Sequence, residues 1–279
     1  VTRTWFITGT STGLGRTLTE QLLQRGDRVA ATLRTPSRLD DLAAQFGDRL
    51  WRRALDVTDT EQVRSVVDAA FRQLGHVDVV VSNAGTGVYG TAEELSDAQI
   101  DDVIATNLTG SIQLARAVVP HLRAQGGGRL LQVSSMGGLV AFPGFSIYHA
   151  TKWGIEGFCD ALAAEIEPFG IRTTLVEPGI FETPFYDTCA RTPVMDHYAD
   201  NPTIARGDIA PEDVGSDVDR IATAMIDVAE EPDPPRRLLL GPDAYTYVTA
   251  AWRERLGAAD AQRERTLSTA RDTWRAAVS

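Results

Sequence analysis

Cysteine is scarce: Cys159 and Cys189 are the only two in 279 residues. Neither stands in a CxxC or other metal-ligand spacing, which argues against a disulfide framework and for two free thiols in a reducing compartment. Histidine is almost as sparse. His76, His121, His149 and His197 form no pair at ligand spacing, so no metal site is expected. No apolar run approaches the roughly 20 residues of a membrane-spanning helix. The first apolar stretch, Thr4–Thr8, lacks the basic start and cleavage site of a secretory leader. A cytoplasmic protein with no membrane partner is expected. Positive charge is also short, with 27 Lys and Arg against 38 Asp and Glu and a net charge of −11. Such a chain has no electrostatic footprint for nucleic acid.

What the chain does have is ordinary globular composition, 43% hydrophobic and 23% charged, and a regular alternation of patterns. Thr4–Thr8, Arg28–Leu33, Leu50–Leu55, Val77–Ser82, Arg129–Ser134, Arg172–Glu177 and Arg237–Leu240 read as strands. Between them lie helical spacings over Arg16–Gln24, Ser37–Phe46, Asp59–Leu74, Asp97–Asn107, Leu108–Gln125, Tyr148–Phe169 and Val214–Glu230. Strands apolar on both faces and separated by helices imply an α/β fold. The sheet is a single Rossmann-type, doubly wound parallel one of about seven strands, with helices on both faces. The catalytic domain would span residues 1–241. A helical extension, 242–279, carries Trp252, Leu256, Leu267 and Trp274.

The first strand–helix junction reads Thr8-Gly9-Thr10-Ser11-Thr12-Gly13-Leu14-Gly15. Glycines there let the backbone turn sharply, and the helix start offers N–H groups and a positive dipole end to a pyrophosphate. Gly9, Ser11, Thr12, Gly13, Leu14 and Gly15 are therefore candidates to bind a dinucleotide. At the end of the second strand an NAD site usually has an acidic residue. Here Leu33 stands there and Arg34 follows, with Arg38 one turn on. Arginine suits a 2′-phosphate, so NADP(H) is favoured over NAD(H). Asp56-Val57 ends the third strand, where a carboxylate can accept from an adenine amino group. Asn83-Ala84-Gly85 ends the fourth, at the ligand-binding edge of the sheet.

Tyr148 and Lys152 are four residues apart on one helix face. An ammonium beside a phenol lowers its pKa and makes it a usable acid and base. Ser135 follows the fifth strand, thirteen residues before Tyr148, where its hydroxyl can bind the substrate oxygen. Ser134 is the competing candidate.

Taken together, TGTSTGLG, Asp56-Val57, Asn83-Ala84-Gly85, Asn107, Ser135, Tyr148-His149-Ala150-Thr151-Lys152 and Pro178-Gly179 resemble the short-chain dehydrogenases/reductases over about Thr4 to Leu240. The resemblance implies an oxidoreductase that interconverts a ketone and a secondary alcohol. Tyr148 would be general acid and base, Ser135 would orient the carbonyl, and Lys152 would bind the nicotinamide ribose and lower the tyrosine pKa. Asn107 would hold a water that relays protons from Lys152. Pro178, Gly179 and Thr183 would border the nicotinamide ring. Some NADP-preferring relatives carry a basic residue where this chain has Thr12, which leaves Arg34 as the carrier of that preference.

The resemblance also implies a substrate lid over 181–206. Phe181, Phe185, Tyr186, Met195 and Tyr198 lie on it, with Phe142 and Phe145 on the opposite wall. That lining favours a bulky, largely apolar carbonyl or alcohol substrate. His197 could touch substrate. His149 sits beside the tyrosine but on another face of the helix. Trp153, Phe158 and Leu162 suggest pairing through the Tyr148 helix, giving a homodimer or homotetramer. The alternatives are a non-redox enzyme on the same scaffold, such as a dehydratase or epimerase, and a dinucleotide-sensing regulatory protein.

Overall fold

The first strand of the computed structural model is buried along its whole length. Trp5 and Ile7 face one core while Phe6 faces another, as the two-residue period of a strand requires. The structure describes residues 2–183, 185, 189–204 and 215–271. Its strands are β1 (Thr4–Thr8), β2 (Arg28–Leu33), β3 (Leu50–Ala54), β4 (Val79–Ser82), β5 (Val88–Tyr89), β6 (Gly128–Val133), β7 (Ile171–Pro178), β8 (Ala190–Arg191) and β9 (Arg237–Leu240). Its helices are α1 (Gly13–Arg25), α2 (Asp40–Phe46), α3 (Thr60–Leu74), α4 (Asp97–Val103), α5 (Gly110–Ala124), α6 (Ser146–Ile166), α7 (Val218–Glu230), α8 (Pro242–Ala261) and α9 (Arg263–Ser268).

Seven strands form one parallel sheet in the order β3-β2-β1-β4-β6-β7-β9. The chain reverses its direction of travel between β1 and β4. In open α/β sheets ligands bind in the crevice that this reversal leaves beyond the strand ends. α1 and α7 cover one face over Leu18, Leu22, Met225 and Ile226. α3, α5 and the end of α6 cover the other over Val63, Val67, Leu114, Val118 and Ile166. Each fully buried side chain of this size contributes about 1.5–3 kcal/mol.

Helix boundaries explain where the sequence reading drifted. α1 starts at Gly13 and not at Arg16, because poor helix formers are tolerated in a first turn whose N–H groups make no internal bonds. The break expected between Asn107 and Leu108 is a π-helical turn, Ile104–Thr109, that joins α4 to α5 without a gap. β4 starts at Val79, two residues later than the pattern suggests, although the Asp78 main chain already bonds the Thr4 carbonyl and the Arg129 N–H at 2.9 Å each. α7 starts at Val218, where the Asp217 side chain caps the helix by accepting from Arg220 N–H; Val214 lies outside the described residues. Of the expected tail, α8 and α9 are present and Trp274 is outside the described residues.

The extension is not a loose appendage at its start. Ala244 and Val248 of α8 are fully buried against Met136, Leu139 and Val140, which follow β6. The sequence places Phe158 and Leu162 near the exposed side of α6, yet both pack inward. Only Trp153 is exposed, with Arg255 of α8 stacked 4.5 Å over its ring. No described helix is long and apolar enough to cross a membrane.

Candidate active site

The glycine loop between β1 and α1 is held from below. Asn83, just after β4, donates from Nδ2 to the carbonyls of Thr8 (2.9 Å) and Gly9 (3.1 Å). The Thr8 hydroxyl accepts in return from the N–H groups of Asn83 and Ala84. Asn83 is thus a strut of the loop, where the sequence marks it only as lying at the ligand edge. Gly9 has φ +72 and lies so close to Ala84 that a Cβ would stand 2.8 Å from its Cα. Leu14 sends its side chain into the core, so only its main chain can face a ligand. Thr12 caps α1 with no side-chain hydrogen bond, and the first turn contains no acid. The open N–H groups, the positive helix end and the tight glycine backbone fit a pyrophosphate.

At the end of β2, Leu33 is buried in the core and Arg34 is exposed. Arg16 is already committed to Glu20, Asp41 and the Arg38 carbonyl. Asp56 Oδ1 accepts from Thr58 N–H (3.0 Å) and Oγ (2.7 Å). Those bonds, with the nearby Arg34 charge, hold its carboxyl below the usual range. Val57 beside it packs on Gly110 at the start of α5.

The candidate catalytic residues sit where β6 ends and α6 begins. Ser135 accepts from Gly137 N–H at 3.0 Å, and its hydroxyl lies close enough to the Tyr148 phenol to lower its pKa. Burial pushes that phenol up to about 12, opposed by Ser135. Lys152 donates from Nζ to the Val133 carbonyl at 3.1 Å and lies 5.6 Å from the Tyr148 ring centre. Burial pulls its ammonium down to about 8, with Glu156 opposing. Desolvation is the largest cause acting on the phenol and on the ammonium, which is turned toward β6. The phenol is held as the acid.

Asn107 is buried in the π-helical turn. Its Nδ2 donates to the Thr86 carbonyl (2.9 Å) and Thr151 Oγ (3.2 Å), while Oδ1 accepts from Thr86 N–H (2.8 Å). Thr151 in turn donates to the Tyr148 carbonyl at 2.7 Å. The amide ties α6 to the loop after β4. His149 is likewise structural. Its Nε2 accepts from Phe142 N–H (2.9 Å) and its Nδ1 is 2.8 Å from the Gly137 carbonyl, so it spans the loop between Ser135 and Tyr148 as a neutral ring.

Phe145 and Phe185 flank the Tyr148 ring at 6.1 and 5.7 Å, and Tyr89 packs on Phe145 at 4.9 Å. Phe142 turns away to His149 and Tyr247, Phe181 packs on the core, and Met195 is exposed. Tyr198 donates to Glu93, and His197 lies in an exposed turn. Tyr186 and residues 205–206 of the expected lid lie outside the described residues. The segment over the site is tied down by signals too short to read from sequence. β8 pairs in parallel with β5, and Glu94 accepts from the N–H groups of Thr91 and Met195 at 2.8 and 2.9 Å.

The sequence gives no hint of Asp243. This second residue of α8 accepts from Ile180 N–H at 2.6 Å, and Gly179 N–H donates to Leu240 beside it. The extension thereby fixes the turn after Pro178, with Thr183 four residues beyond it. Asp243→Ala should lower stability by about 1–3 kcal/mol by leaving a buried N–H unpaired. Asp243→Asn keeps an acceptor oxygen and should lose much less in urea unfolding.

A family model described as short chain dehydrogenase matches residues 3–192. The oxidoreductase BOA17 of Botryotinia fuckeliana is 39% identical over 278 residues, covering 97% of this chain and 100% of its own. A solved short-chain dehydrogenase from Streptomyces avermitilis is 34% identical, with a TM-score of 0.88 over 97% of this chain and 99% of that one. An alcohol dehydrogenase from Thermococcus sibiricus, solved with 5-hydroxy-NADP, is 25% identical with a TM-score of 0.73, covering 86% and 97% of the two chains.

Proposed function

This chain belongs to the short-chain dehydrogenase family, and from that premise we propose that it is an NADP(H)-dependent oxidoreductase interconverting a ketone and a secondary alcohol on a bulky, largely apolar small molecule. The observation that carries the reading is the grouping of Ser135, the buried Tyr148 phenol and a buried Lys152 at the strand ends that also carry the glycine loop. The dinucleotide supplies the hydride in reduction and takes it in oxidation.

Gly9, Ser11, Thr12, Gly13, Leu14 and Gly15 would hold its pyrophosphate, and Asp56, Val57, Asn83, Ala84 and Gly85 would line its adenosine side. Pro178, Gly179 and Thr183 would border the nicotinamide. In reduction Tyr148 gives its phenolic proton to the substrate oxygen as the carbonyl carbon is reduced. Ser135 keeps that oxygen aligned. In oxidation Tyr148 takes the proton back. Phe145, Phe185 and Tyr89 exclude water and favour an apolar substrate.

Mixing the protein with reduced nicotinamide and a panel of aryl and long-chain ketones should give turnover that is faster with NADPH than with NADH. Tight dinucleotide binding with no turnover on any ketone would favour a sensor instead.

The preference for NADP(H) rests on an exposed Arg34 where no carboxylate stands. Arg34→Ala should weaken NADPH binding by about tenfold, near 1.4 kcal/mol, and leave NADH binding unchanged. Equal losses for both would remove Arg34 from the cofactor preference.

A further inference from the structure

Lys152 is the single lysine among 27 lysine and arginine residues. Every other fixed positive side chain is an arginine, which stays charged, whereas an ammonium can lose its proton when buried. The site therefore needs something that keeps this one charged.

Tyr148, Lys152 and Glu156 follow one another at four-residue steps on α6, so they share a face. Glu156 is 4% exposed and Glu177, at the end of β7, is 0% exposed. Arg237 of β9 bridges them: it bonds Glu156 and reaches Glu177 Oε1 at 2.7 Å and Asp160 Oδ2 at 2.5 Å. One oxygen of each carboxyl, Glu156 Oε1 and Glu177 Oε2, has no donor. The two carboxyls lie within hydrogen-bonding reach of each other. Two buried carboxyls held by one guanidinium nitrogen do not both ionise easily, so one of them keeps a proton at neutral pH. It rests on Glu177, which burial and the Glu156 charge push up to about 8. Glu156, the other member of the pair, lies on the Lys152 face of the helix.

We propose that Glu156 is the counter-charge that keeps the Lys152 ammonium in place beside Tyr148, with Glu177 as its proton-bearing partner and Arg237 as the clamp. Glu156 is then a positioning residue that acts on the reaction through Lys152. The other groups around Lys152 carry no negative charge at neutral pH. Burial keeps the Tyr148 phenol and the Cys189 thiol across the site protonated. The Val133 carbonyl, the Ser134 and Ser135 hydroxyls and the Asn107 amide are neutral, and His149 is a neutral ring turned to Gly137 and Phe142. Asp160 also bonds Arg237 but is about half exposed, whereas Glu156 is buried.

The catalytic meaning of this pairing rests on the oxidoreductase reading, but the charge itself does not. Because Lys152 is the single lysine of these 279 residues, this chain grown with carbon-13 and nitrogen-15 lysine shows one lysine side chain by NMR. Its titration can be followed with no substrate at all. The wild-type midpoint is expected near 8. In Glu156→Gln it should fall by about one pH unit or more, and Glu156→Asp should restore most of that fall. Glu177→Gln, whose amide is neutral as the protonated carboxyl is, should leave it unmoved. A midpoint unchanged in Glu156→Gln, or displaced equally by Glu177→Gln, overturns the assignment, whether or not any ketone is turned over. Where turnover is found, the alkaline limb of kcat/KM should move down with the lysine midpoint in Glu156→Gln. A limb that stays while the midpoint moves overturns the link to the reaction.

Discussion

Tyr148→Phe should lower ketone turnover by roughly 10²–10⁴-fold, the range that general acid–base catalysis contributes, while NADPH binds as tightly as to the wild type. The substitution removes one oxygen and nothing else. The ring keeps its contacts with Phe145 and Phe185 at 6.1 and 5.7 Å, so the walls around the site stay in place. What disappears is the phenol that burial holds in its acid form, the proposed proton donor. Stopped-flow binding and steady-state rates on the same preparation separate the two effects. A variant that still turns over within a few-fold of wild type would move the proton donor elsewhere and sink the mechanism. The pH profile gives an independent check. The Lys152 ammonium is pulled down to about 8 by burial. It is present below that pH and lost as pH rises through it. Reduction by the wild type should therefore be sustained at neutral pH and fall on the alkaline side.

The parts of this site that could be read from sequence are those that repeat over a few residues. The glycine turn lies within eight residues, and Tyr148 and Lys152 are one helical turn apart. Such patterns follow from local geometry: a loop that must approach a phosphate, and a helix period near four. The alternation of apolar strands and helices gave the sheet for the same reason. What could not be read are polar partners far apart in the chain. Asp243 meets Ile180 across 63 residues, and Arg237 meets Glu156 across 81. An isolated aspartate or arginine carries no periodicity, so nothing local separates it from a solvated side chain. The β5–β8 pairing rests on two residues per strand, too few for an alternation to register.

Electrostatic sign was the other thing hidden. Two titratable groups one turn apart suggest mutual influence, but in this fold desolvation by burial is the largest cause acting on each. Whether a neighbour's charge or the loss of water dominates depends on depth, and depth is set by the loop between β6 and α6 and by the segment tied down through Glu94. The same depth makes the carboxyl pair below Lys152 retain a proton. A lysine four residues from a tyrosine thus predicts an address, while the protonation states come from packing.

Gly15→Ala should weaken dinucleotide binding by about 100-fold or more, near 2.7 kcal/mol, with catalysis at saturating dinucleotide reduced far less. A Cβ at this position would stand 2.3 Å from the Gly9 carbonyl oxygen and 2.5 Å from Asn83 Nδ2. Neither neighbour can step aside freely. Asn83 is held by the Thr8 and Gly9 carbonyls, and Gly9 occupies a left-handed conformation with φ +72. The loop must open, which moves the N–H groups at the start of α1 away from the place where a pyrophosphate would bind and costs about 1–3 kcal/mol in folding stability. Gly157→Ala is the control: that glycine lies on the exposed side of α6 with nothing near its would-be Cβ. There alanine should be neutral or stabilise by about 0.5–1 kcal/mol through helix propensity. Calorimetric titration with NADPH distinguishes the two variants. If Gly15→Ala loses stability but keeps its affinity, the loop is a structural turn and the dinucleotide lies elsewhere. If affinity falls while Tyr148, Lys152 and Ser135 still turn over substrate at high dinucleotide concentration, the two halves of the site are separable, as their separate anchoring on β4 and β6 implies.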